Sequence, residues 1–195
     1  SLGSLNEKVK AVKVEGVEAT AENVSNGTYK IARPFNIAFK ADGQSDLSKD
    51  FIAYIMSAEG QTIINEHGYV GSNDAAAYEG NGAEGKLVVG GSSSVSPIME
   101  KLIEAYKAVN PKADIELQTT DSTTGMTAAI DGTYDIGMAS RELKEDEAAA
   151  LSHQAIAMDG IAVIVNQANP VENLSVEQIG SIFTGDVTKW NEIVK

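Results

Sequence analysis

The chain has 195 residues, 43% of them hydrophobic, no cysteine, and a formal net charge of −13. That length holds one large domain or two small ones, with a sizeable core. The missing thiols exclude a disulfide framework and a thiolate metal site, and the acidity makes nucleic acid and anionic membrane poor partners.

Val9, Val12, Val14 and Val17 sit among Lys and Glu residues and read as short strands, with a turn at Gly16. Thr20-Ala21-Glu22-Asn23 opens one helical turn that closes near Asn26-Gly27. Residues 29–40 read as extended, and Pro34 places them at an edge or an irregular crossing. Residues 46–66 are helical, with Phe51, Ile52, Ile55 and Met56 on one stripe, a division at Gly60 and a stop at Gly68. Residues 71–85 are Gly, Ala, Ser, Asn and acids, and read as a linker.

A β/α alternation follows. Leu87-Val88-Val89 is a buried strand, then Gly90-Gly91-Ser92-Ser93-Ser94-Val95-Ser96-Pro97 leads into a helix reaching Val109. Ile115 and Leu117 mark a strand that runs into residues 119–125, and a helix over about 126–130 stops at Gly132. Residues 134–139 form a strand that ends at Ser140-Arg141. Glu142–Leu151 reads as a solvated helix, and the apolar run 161–165 as a further strand. Ser175 with Gln178 forms a capping box, opening a helix to Phe183. The expected fold is α/β, a mixed, mostly parallel sheet flanked by helices.

In such sheets ligands bind beyond the carboxyl ends of the strands. Three polar turns stand there: Ser92–Ser94, Ser122–Thr124 and Ser140–Arg141. Free N–H groups at a helix start, with hydroxyls beside them, suit an oxyanion. Such a site must work at short range against the global field, inside a screening length of about 8–10 Å. The local pattern alone is also that of an ordinary Ser-capped turn. It is neither a P-loop nor G-x-G-x-x-G.

Taken together, residues 90–97, Asp121-Ser122-Thr123-Thr124-Gly125, residues 135–143, residues 159–166 and Ile182-Phe183-Thr184-Gly185 with Trp190 resemble the phosphate-binding proteins of bacterial phosphate ABC importers. Residues 86–195 correspond to the amino-terminal part of that family. Residues 1–70, through Gly27-Thr28-Tyr29-Lys30-Ile31-Ala32-Arg33-Pro34-Phe35 and residues 51–61, resemble its carboxy-terminal part. The segments therefore stand in exchanged order across 71–85, and most of the family's second lobe has no counterpart. A piece spanning two tandem domains, an engineered permutant and a naturally permuted protein all fit that layout. The chain opens Ser1-Leu2-Gly3 without an initiator Met, which reads as a processed or shortened chain.

The resemblance implies a periplasmic-binding-protein-like (type II) lobe built from 1–70 and 86–195 together. It implies extracytoplasmic localisation, inorganic phosphate as ligand, importer membrane subunits as partners, and no cofactor or metal. Ser93 and Ser94 would donate backbone N–H and hydroxyl bonds to phosphate, and Ser122 a hydroxyl. After Ser140, where better-known members carry an aspartate that accepts a proton from phosphate, stands Arg141, which can only donate. It either pairs with the anion or points away.

An enzyme would need a base beside Ser93 or Ser122. The two histidines, His67 and His153, stand at a helix end and in a polar stretch, and no nucleophile-elbow pattern or metal-ligand spacing occurs. A third reading is a folding unit that self-associates through sticky patches near Leu2–Leu5 and 190–194. Trp190 is expected as a packing anchor and the methionines as core filler.

Overall fold

The computed structural model describes residues 1–193, so Val194 lies outside the described residues. In chain order, β1 (Val9–Ala11), β2 (Lys13–Val14), α1 (Ala21–Ser25), β3 (Ala32–Phe39), α2 (Asp46–Met56) and α3 (Ala58–Glu66) come first. Then follow β4 (Gly85–Ser92), α4 (Ser96–Val109), β5 (Ala113–Thr120), α5 (Ser122–Asp131), β6 (Ile136–Ala139), α6 (Glu145–Ala150) and β7 (Ser152–Gly160). β8 (Ile164–Asn166), β9 (Asn173–Leu174) and α7 (Val176–Thr184) complete the set. Contacts divide the chain into two units, Ser1–Ala32 with residues from Asp159 onward, and Arg33–Met158. Residues 71–85 lie wholly inside the second, so the divisions at 70 and 85 are not the borders of compact units.

The larger unit is built on a five-stranded sheet in the order β5-β4-β6-β3-β7. β4 runs parallel to β5 and to β6, whereas β3 pairs antiparallel with β6 through Asn36–Ala139 to Ala38–Gly137. Pro34 precedes this paired stretch, which is how a strand carrying proline sits inside a sheet instead of at its edge. Phe35, Ile37, Leu87, Val89, Ile136 and Met138 point from the strands into one core. Phe51, Ile55, Leu102 and Tyr106 meet them from the helices. Met99, Met126 and Met138 are fully buried, as core filler should be, whereas Met158 is partly exposed.

Helix ends follow side-chain chemistry. Ser45 accepts from the Ser48 N–H at 3.1 Å, and Asp121 from the Thr124 N–H at 3.0 Å. The two helices expected to part at Gly60 part at Ser57. Its hydroxyl donates to the Tyr54 carbonyl at 2.7 Å and accepts from the Gly60 N–H at 3.3 Å, closing α2 and opening α3. α5 starts at Ser122, ahead of the apolar periodicity, because the Asp121 cap fixes its first turn.

Residues 71–85 have no helix and are tied down throughout. The Tyr78 hydroxyl donates to Asp50 Oδ2 at 2.6 Å, Tyr106 to the same oxygen at 2.7 Å, and the Asn81 N–H to Oδ1 at 3.2 Å. Asp50 is 3% exposed, and these donors satisfy its buried carboxyl oxygens. Burial, then the Asp50 hydrogen bond, pushes the Tyr106 hydroxyl up to about 12. Asn110 extends the knot, donating to the Ala83 carbonyl at 2.7 Å.

The smaller unit pairs β1 antiparallel with β8 and β2 parallel with β9. Val12, Val165, Val171 and Leu174 form its core. The Ser175–Gln178 capping box opens α7, and left-handed Gly185 ends it. The run 161–165 is not one strand. β7 continues to Gly160, residues 161–163 leave the ladder, and only Ile164 and Val165 join β8. An unbroken apolar run does not reveal whether a sheet or an open groove takes it up. Here the side chains line a groove.

Candidate functional site

The register sets the ends of three parallel strands side by side. Ser92 stands opposite Thr120, and Gly91 opposite Met138. The chain therefore leaves β4 at Ser93, β5 at Asp121 and β6 at Ser140 on one edge of the sheet. Two glycines allow the close approach this needs. A Cβ on Gly91, at φ +137°, would lie 2.3 Å from the Met138 carbonyl oxygen. A Cβ on Gly125 would lie 2.7 Å from Gly91 Cα. α5 thus seats its first turn directly against β4 and β6.

Ser122 and Ser140 are brought together. The Ser140 N–H donates to Ser122 Oγ at 3.1 Å. That occupies a lone pair of Ser122 and leaves its O–H to donate outward. Ser140 Oγ in turn accepts from Arg33 Nη1 at 3.4 Å, which leaves its O–H free in the same sense. Arg33 stands at this edge because β3 runs antiparallel, so its start lies where the parallel strands end. Its guanidinium also sits 5.7 Å over the Phe35 ring. Sequence reasoning did not select Arg33 for the site. The signal was the strand direction, which no local pattern shows.

Ser93 is exposed and Ser94 half-buried in the turn before α4. Their backbone N–H groups are engaged inside the protein. Ser93 donates to the Thr120 carbonyl at 3.1 Å and Ser94 to Ser92 Oγ at 3.3 Å. What the two residues offer outward is therefore their hydroxyls, which make no hydrogen bond among the described residues.

Arg141 is held sideways. Nη1 and Nη2 donate to the two Glu147 carboxylate oxygens at 2.7 and 2.8 Å, a bidentate pair. Nη2 also reaches Thr123 Oγ1 at 3.4 Å, in the first turn of α5. The Arg141 hydrogen bonds hold the Glu147 carboxyl below its ordinary range. Glu147 is only 7% exposed in its side chain, so the stretch 142–151 is not a wholly solvated helix. Its helix is the shorter α6, which begins at Glu145, after Arg141, and carries Glu147 in its first turn.

This edge gathers hydroxyls, a helix start and both arginines of the chain, donor chemistry of the kind that suits a small anion. Neither histidine hydrogen-bonds Ser93 or Ser122 among the described residues. His67 Nδ1 lies 2.8 Å from the Ile63 carbonyl oxygen, and His153 is exposed on β7. Among the described residues no group of three or more His, Asp or Glu is placed to hold a metal ion.

A family model described as a PBP superfamily domain matches residues 76–194. The phosphate-binding protein PstS 2 of Streptococcus agalactiae serotype V is 50% identical over 196 aligned residues, covering 100% of this chain and 67% of that protein. The chain belongs to the phosphate-binding proteins of ABC importers. A crystal structure of such a protein from Streptococcus pneumoniae superposes with a TM-score of 0.89 at 42% identity, over 99% of this chain and 75% of that one. A putative phosphate ABC transporter substrate-binding protein from Clostridium perfringens, solved with bound phosphate, matches with a TM-score of 0.54 at 43% identity, over 56% of this chain and 45% of that one. The fold is that of the periplasmic-binding-protein class, and these are binding proteins and not enzymes. This chain spans about two thirds of its streptococcal relatives.

Proposed function

We propose that this chain captures inorganic phosphate, outside the cytoplasm, for the membrane subunits of an ABC importer. The ligand sits at the carboxyl edge of the larger unit's sheet. The observation that carries the reading is the Ser140–Ser122 contact at 3.1 Å, beside Arg33, at the start of α5. Two hydroxyls whose lone pairs are already occupied must donate, and an oxyanion is the acceptor that fits them. Ser93 and Ser94 add hydroxyls from the next turn. Arg141 stays on Glu147 and shapes the edge without giving its charge to the anion. The position after Ser140 holds Arg141, which can only donate, and not an acceptor for the phosphate proton, so phosphate and sulfate should bind with similar affinity.

A natural origin for the segment order is supported by the alignment with the S. agalactiae protein, which covers 100% of this chain, 1–70, 71–85 and 86–195 alike. No helix of the described residues is long and apolar enough to cross a membrane, and the proposed function needs none.

The test is calorimetry of the chain with phosphate and with sulfate at low salt, beside Ser122→Ala and Ser140→Ala. Phosphate heat that falls at least about tenfold in affinity in both variants supports the assignment, since a hydrogen bond to a charged group is worth about 1.5–3 kcal/mol. Phosphate heat unchanged in both variants, or no heat from the parent chain, overturns it.

A further inference from the structure

The opposite edge of the larger unit's sheet holds a cavity of about 190 Å³ that phosphate capture does not use. It opens where β3 and α5 end and β6 begins, beside the start of α2. The phosphate edge lies at the other ends of β3, α5 and β6, so the two places share no residue.

Two side chains in this cavity lack partners. Ser48 is 2% exposed, and its Oγ has no hydrogen-bond partner among the described residues. Gln44 Nε2, also shut off from solvent, has none either. Both residues line the cavity. Buried polar atoms left unpaired cost free energy, and folded proteins keep few of them. Beside them, the Asp46 and Leu47 N–H groups open α2 and have no acceptor within the helix. An amide nitrogen can only donate, and a hydroxyl can join it, so what fits between them is an acceptor oxygen.

The rest of the wall carries both signs. Lys40 Nζ stands near the end of α5, 3.8 Å from where a Cβ on Gly132 would be. Asp42 makes no hydrogen bond among the described residues, and Asp135 spends only Oδ2, accepting from the Val88 N–H at 2.7 Å. Two carboxylates beside one ammonium oppose a bare anion, and the unpaired donors have no use for a bare cation. A ligand with a carboxylate and an ammonium on one carbon answers both. The cavity is well above the roughly 10–15 Å³ that one water needs and below the roughly 300–1,000 Å³ of drug-sized sites. Its apolar wall is little more than Ala129 and Tyr134, so only a short side chain is accommodated.

We propose that this cavity binds a small neutral α-amino acid of the size of glycine, alanine or serine. Gln44, Ser48 and Lys40 take its carboxylate, and Asp42 and Asp135 take its ammonium. The site is independent of the phosphate edge and stands whether or not that edge is occupied.

The test is nuclear magnetic resonance of the isotope-labelled chain, held in excess phosphate and titrated with glycine and with L-serine. Backbone signals of residues 40–48 and 129–135 should shift saturably. Acetate and methylammonium, each carrying one of glycine's two charges, should bind at least about tenfold more weakly than glycine. Ser48→Ala gives up no hydrogen bond inside the protein, so it should fold as the parent does and weaken glycine at least about tenfold. Asp42→Asn, a change at an exposed site, should weaken it as much. Neither variant should alter phosphate affinity. Signals that neither amino acid moves would leave the cavity to water alone and overturn the proposal. Acetate binding as tightly as glycine overturns it too, as does undiminished glycine affinity in either variant.

Discussion

Alanine at Gly125 sets helix propensity against close packing, and the structure says which prevails. Inside α5 the change from glycine gains about 1 kcal/mol of helix stability. The added Cβ, however, would lie 2.7 Å from Gly91 Cα, 2.8 Å from the Met138 carbonyl oxygen and 3.1 Å from the Gly90 carbonyl oxygen. All three are backbone atoms of central strands, so no side chain can rotate away and α5 must lift off the sheet. Overpacking costs about 1–3 kcal/mol, and rigid neighbours place this case at the upper end. The net loss is about 1–2 kcal/mol, and Tm should fall by about 2–8 °C. Because Ser122 opens the same helix, phosphate affinity should fall with it. Gly180 is the control: it also lies inside a helix, α7, but a Cβ there meets nothing within 4 Å. Alanine at Gly180 should therefore stabilise, by up to about 1 kcal/mol. Urea unfolding followed by circular dichroism, with calorimetry of phosphate, separates the two. A Gly125→Ala protein as stable as its parent, or a destabilised one with undiminished phosphate affinity, would refute the packing account of the site.

Tyr78→Phe removes one hydrogen bond to the buried Asp50 carboxylate and should cost about 1.5–3 kcal/mol. Limited proteolysis should then cut first within 71–85, a segment the parent protects. Burial and Asp50 hold Tyr106 in its neutral form, so its contribution is whole below pH ~10 and is lost as pH rises toward about 12. Tyr106→Phe should flatten stability over that range, read from alkaline unfolding. Glu147 has the opposite sign: its carboxyl is depressed by Arg141, so its contribution is present above the ordinary carboxylate range and lost as pH falls through it. Glu147→Gln should cost about 1–2 kcal/mol at pH 7 and lessen the acid-side decline, and by releasing Arg141 it should tighten sulfate and phosphate alike.

Local chemistry carried most of the elements into the sequence. The Thr20 and Ser175 caps, Pro97 in the first turn of α4 and the left-handed Gly132 and Gly185 stand where the pattern places them. The three polar turns also meet at one sheet edge, because parallel strands force that. What stayed hidden depends on residues far apart in sequence. Arg33 joins Ser140 only through the antiparallel pairing of β3 with β6. Arg141 is turned toward Glu147, and the spacing alone gave no reason to prefer that pair over an anion. Residues 71–85 have the composition of a free linker, and their fixation rests on Asp50, buried some thirty residues earlier. The run 161–165 shows the limit of hydrophobicity as a guide, since it marks what must be covered but not by what.

The direction of β3 also bears on how the chain folds as it is made. Asn36 finds its partner in Ala139, roughly a hundred residues later, and β7 on the other side of β3 is later still. At about 5–20 residues per second, β3 leaves the ribosome some 5–20 s before either neighbour exists. The strands β4, β5 and β6 and their helices form a local βαβ series that can assemble without it. An apolar strand bearing Phe35 and Ile37 must meanwhile wait, unpaired, for a gap in a sheet that is still growing. Such late insertion gives a high contact order and slow folding, with the greatest exposure to misassembly at the moment just before β3 enters.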